Sequence, residues 1–60
     1  MDPDACAAVM RDETADPEDR REAHANLKAW MERGGFPPSQ MTRELAWAEV
    51  AQYDRKLWPR

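Results

Sequence analysis

The residues able to do chemistry are few and far apart. The chain has one cysteine, Cys6, one histidine, His24, and one serine, Ser39. Cys6 with His24 could supply two metal ligands, or four across a symmetric dimer. A structural zinc site needs about four ligands, so the blander readings are stronger: Cys6 as a small buried apolar residue and His24 as a boundary residue on the core side of a helix. Ser39 falls where a helix cap is expected. Acids are plentiful, but no signature places a carboxylate pair around a substrate. The expectation is a non-enzymatic protein with no cofactor and no metal.

Charge is unevenly spread. The formal net charge is −3; residues 1–19 carry seven acids against Arg11, a net −6, and residues 20–60 carry eight bases against five acids, a net +3. The acidic head reads as complement to helix dipoles and an aid to solubility. A competing idea is mimicry of nucleic-acid phosphates in a basic groove.

Three tryptophans stand among 60 residues. Trp30 reads as core, and its truncation should cost folding stability. Trp47 and Trp58, eleven positions apart and close in azimuth on a helix, lie with Ala51 on a side that two short helices cannot cover. These three are the candidate partner interface, since aromatic residues anchor interfaces well; loss of Trp58 should weaken association and leave helical content intact. The alternative is a small helix-turn-helix-like nucleic-acid-binding regulator using Arg43, Arg55, Lys56 and Arg60. Against it stand a connection longer than the usual three or so residues and a pI near 5.0, which lacks a basic footprint.

The elements that must position these residues follow from cap grammar and periodicity. Asp2-Pro3-Asp4 and Asp16-Pro17-Glu18-Asp19 each give an acceptor at the cap, proline at the first helical position and acids in the first turn. They predict helices over about 3–13 and 17–33, the first short and weakly held. In the second, Arg20, His24, Leu27 and Met31 share a line with Ala23 and Trp30 beside it, and Lys28 could pair with Glu32 one turn on. Gly34-Gly35 supplies the left-handed stop, with Phe36 placed to fold over Met31 and Pro37-Pro38 forbidding continuation. Ser39 or Thr42 then caps a third helix, over about 40–57. It is apolar on two sides: Ala46, Val50, Tyr53 and Leu57 on one, Met41, Leu45, Ala48 and Ala51 on the other. Such a helix sits between two others or serves an interface.

The fold class is therefore all-α: a small three-helix domain spanning residues 1–60, its last two helices an antiparallel hairpin. A chain of this length buries only about 60% of its unfolded surface. With no internal disulfide possible, a protein partner or self-association is expected. No stretch reaches the roughly 18 apolar residues of a membrane span. The first residues lack the charge and apolar run of a secretory signal, so the expected location is the cytoplasm.

The segment Ala-x3-Leu-x2-Trp-x3-Gly-Gly-Phe-Pro-Pro, Ala23 to Pro38, resembles a motif in short proteins of actinobacteria and their phages. Arginine outnumbers lysine seven to two and isoleucine is absent, a bias in keeping with GC-rich coding. The resemblance implies an origin and helix boundaries; no activity comes with it.

Overall fold

The computed structural model describes residues 2–59. Three α-helices follow one another: α1 (Pro3–Arg11), α2 (Pro17–Glu32) and α3 (Arg43–Leu57). Among the described residues there is no strand. The radius of gyration, 10.5 Å, matches the value of about 10 Å for a compact chain of this length.

Each helix begins where a side chain satisfies an orphan backbone donor. Asp2 accepts from the Asp4 N–H at 2.9 Å, and Asp16 from the Glu18 N–H at 2.8 Å. Thr42 Oγ1 accepts from the Leu45 N–H at 3.1 Å. Caps of this kind stabilise by about 1 kcal/mol each.

The helix ends show what sequence periodicity missed. α1 stops at Arg11, two residues before the expected end at 13. Asp12 Oδ1 accepts from both the backbone N–H of Thr14 (2.9 Å) and its hydroxyl (2.6 Å). This local turn competes with continued helix, and the Thr14 hydroxyl bond holds the Asp12 carboxyl below its ordinary value. α3 starts at Arg43, three residues later than the expected 40. Gln40 takes a left-handed φ of 64°, which no right-handed helix can contain, and Thr42 is the cap rather than Ser39. Ser39 instead turns to α1: its N–H (2.7 Å) and Oγ (2.6 Å) both donate to the Asp4 carboxylate.

α2 ends in a Schellman motif. The Gly35 N–H bonds to the Trp30 carbonyl (2.9 Å) and the Gly34 N–H to the Met31 carbonyl (3.0 Å), with Gly34 at φ 86°. That is the paired 6→1 and 5→2 pattern of such stops. A β-carbon on Gly35 would fall inside the Trp30 indole. The same indole donates to the Phe36 carbonyl at 2.9 Å and meets the Phe36 ring edge-on at 5.4 Å. Phe36 thus folds over Trp30, not Met31 as expected, and stays 62% exposed. Trp30 seals the turn from the edge of the core rather than filling its centre.

The core gathers Ala7 and Met10 from α1, Ala23, Leu27 and Met31 from α2, and Ala46, Val50 and Leu57 from α3. Met10, Leu27 and Met31 are wholly buried, and each such side chain contributes about 1.5–3 kcal/mol. α2 and α3 form the expected hairpin, but α2 is the central helix, with α1 on one flank and α3 on the other. Of the two arrangements expected for α3, between two other helices or at an interface, the first belongs to α2 instead; α3 packs mainly on α2.

α1 is also held more firmly than its length suggested. Besides Asp4–Ser39, Arg20 Nε donates to the Met10 carbonyl (3.1 Å), one of the orphan acceptors at the end of α1. Arg11 grips both Glu49 carboxylate oxygens (2.7 and 2.5 Å) and reaches Met41 Sδ (3.2 Å). Arg11–Glu49 is the ion pair found among the described residues; Lys28 and Glu32 do not close.

Candidate functional site

The helical periodicity of α3 decides which candidate residues share a surface. Ala46, Val50 and Leu57 line its buried stripe. Trp47 and Ala51 lie on the flank of that stripe facing α2 from outside. Trp47 is half-buried and Ala51 exposed. Together with Val50, Asp54 and Arg55 of α3 and Lys28 of α2 they line a groove of about 280 Å³. That lies just below the lower end of small-molecule pockets, about 300 Å³. It suits an inserted side chain better than a cofactor.

Trp58 stands further along the same seam. Its Nε1 donates to Nδ1 of His24 at 3.1 Å, and the two rings tilt at 53°. An indole N–H only donates, so Nδ1 accepts and the His24 hydrogen sits on Nε2, which donates to the Val50 carbonyl at 2.9 Å. The expectation for His24 is corrected here: it is buried, 1% exposed, with both ring nitrogens engaged. Trp58 therefore has a structural duty that sequence reasoning did not assign. It is still 42% exposed, and its outer side carries the Arg21 guanidinium at 5.9 Å from the ring centroid. The Trp47, Ala51 and Trp58 set lies along one seam, but only Trp47 and Ala51 line the groove.

The second candidate set does not form a stripe. Arg43 donates to the Gly35 carbonyl at 3.1 Å and so closes the α2–α3 loop. Lys56 lies over the Tyr53 ring, 5.5 Å from its centroid. Arg55 borders the groove, about 100° around the helix from Lys56. Arg60 lies outside the described residues.

Sequence reasoning missed Lys28 and Arg21 as members of the site. The signal was present: counting equal steps outward from Pro37-Pro38 brings Lys28 opposite the stretch from Trp47 to Ala51. The reactive side chains do not converge. Cys6 lies on α1, and burial pushes its thiol up from the ordinary value, which disfavours the reactive thiolate. Among the described residues no three His, Cys, Asp or Glu side chains gather as a metal site, and no helix is long and apolar enough to cross a membrane. No family model matches the chain, and neither a curated protein nor a solved structure matches it.

Proposed function

We propose that this protein is a non-enzymatic protein–protein interaction module that binds through the α2–α3 seam, with Trp47 and Ala51 at the contact and Trp58 at its edge. It acts in the cytoplasm as a modulator of a host protein or as a component of a larger assembly; the resemblance of its central segment bears only on a phage origin. The observation that carries this reading is the groove itself. Half-buried Trp47 and exposed Ala51 line it beside a core stripe, Val50 included, that is covered. A partly exposed aromatic of that kind is typical of interface anchors.

The nucleic-acid reading is the weaker one. It needs a contiguous basic stripe, whereas Arg43 is tied to a loop carbonyl and Lys56 to a ring. Ala51→Glu separates the two. It sits on an exposed position, so far-UV circular dichroism should not change, and a protein retained by the wild-type chain from lysate should be released by the variant. Retardation of duplex nucleic acid by both proteins equally, with no Ala51-dependent protein retained, would overturn the reading.

A further inference from the structure

Resting on the interaction reading, we infer that the α2–α3 groove takes an acidic segment of another protein, one apolar side chain entering beside Trp47 with carboxylates on either side of it. The inference comes from the charge around the groove, which is opposite to that of the molecule. The chain as a whole carries −3, yet the seam is bordered by three cations: Lys28 and Arg55 on the groove walls and Arg21 over Trp58. One acid, Asp54, shares the wall and is already engaged in an interaction of its own. Lys28 and Arg55 are both exposed, and the ion pair of the described residues lies elsewhere, at Arg11–Glu49. The apolar floor of Trp47, Val50 and Ala51 lies between the cations of α2 and α3. A ligand that fills the floor therefore brings its flanks within reach of positive charge from both sides.

Two other occupants fit less well. A nucleic acid would meet the field of a net-negative protein, most of whose acids lie on the acidic head. A small anion would leave the apolar floor uncovered. An acidic, apolar-anchored peptide uses both features, with the apolar insertion supplying affinity and the charges supplying orientation and on-rate.

Selection of random short peptides displayed on phage against the immobilised full chain tests this. The expected outcome is a consensus of Asp or Glu flanking a Leu, Ile or Phe. Binding of such a peptide should weaken with salt, fall roughly tenfold in Lys28→Glu with Arg55→Glu, and vanish in Ala51→Glu. The milder pair Lys28→Gln with Arg55→Gln, checked by circular dichroism, should give a smaller loss in the same direction. Uncharged or basic peptides that depend on Ala51 but ignore Lys28 and Arg55 would overturn the acidic partner and leave the interaction module standing. A dimer in sedimentation that Ala51→Glu splits would do the same, with a second copy as the occupant. If no selected peptide depends on Ala51, or oligothymidine binds there instead, both readings fall.

Discussion

The two flanks of α2 are built differently, and each leaves a groove of its own character. On one flank α1, though only nine residues long, lies close against α2. The facing residues are small: Ala7 is wholly buried and Ala23 nearly so, which lets the two backbones approach. On the other flank α3 approaches α2 closely over fewer residues, and the half-buried Trp47 and the Trp58–His24 pair stand along that seam. The two grooves are opposite in charge. The α1–α2 groove, about 310 Å³, has an apolar lining of Ala5, Cys6 and Val9 and carries Asp19 and Glu22. The α2–α3 groove carries Lys28 and Arg55 around an indole. A close-packed flank of small residues stabilises the fold; a flank in contact over fewer residues, with a large aromatic beside it, leaves room for something else.

The largest effect expected from this contrast is on the close-packed side. Met10→Ala removes a wholly buried side chain and should cost about 2–5 kcal/mol in urea denaturation. A loss under about 1 kcal/mol would mean that α1 contributes little and that the two flanks are not unlike after all.

On the α3 side, Trp58→Phe keeps a ring but removes the indole donor to His24 Nδ1. An unsatisfied buried acceptor costs about 1–3 kcal/mol. The same measurement on Trp58→Phe should therefore show a clear loss of stability with the helical spectrum retained. An unchanged midpoint would return Trp58 to a purely external role. The expectation that losing Trp58 weakens association with helical content intact is joined by a stability cost from this hydrogen bond.

A smaller effect belongs to the strap across the top of the core. The Arg11–Glu49 pair has side chains 42% and 21% exposed, so screening limits it. A double-mutant cycle with Arg11→Met and Glu49→Gln should return about 0.2–1 kcal/mol, falling in high salt. Arg11 is correspondingly held above its ordinary value, chiefly by its hydrogen bond to Glu49.

The mildest test is acid titration. The Asp4 carboxyl lies below its ordinary 3.8, first through the Ser39 hydroxyl and then the Ser39 N–H. A depressed carboxylate contributes stability above its unfolded value and loses it as pH falls through the folded one. The difference in stability between wild type and Ser39→Ala should therefore be full at neutral pH and shrink below about pH 4. A difference that does not change with pH would show that Asp4 and Ser39 are not coupled.

Which parts of this were readable beforehand follows the range of the forces. The three helices, their caps at Asp2 and Asp16, and the Gly34-Gly35 stop are local, set by neighbours a few positions away. They were legible to within one to three residues. The misread boundaries fell where a local alternative beat the helix: the Asp12–Thr14 turn and the left-handed Gln40. Of the groove lining, Trp47 and Ala51 were legible as neighbours from helical azimuth. Lys28 was within reach of counting outward from Pro37-Pro38, whereas Arg21 required knowing that Trp58 turns back onto α2.

By itself the sequence determined an all-α chain of three capped helices with apolar residues on two sides of the third, because capping and amphipathicity act within a few turns. Only the tertiary structure decided that α2 is the centre, that Ser39 fastens α1 rather than opening α3, and that Trp58 lies against a buried histidine. Those outcomes depend on pairs up to 35 residues apart. Side-chain volume and hydrogen-bond geometry select among them only once the helices have met.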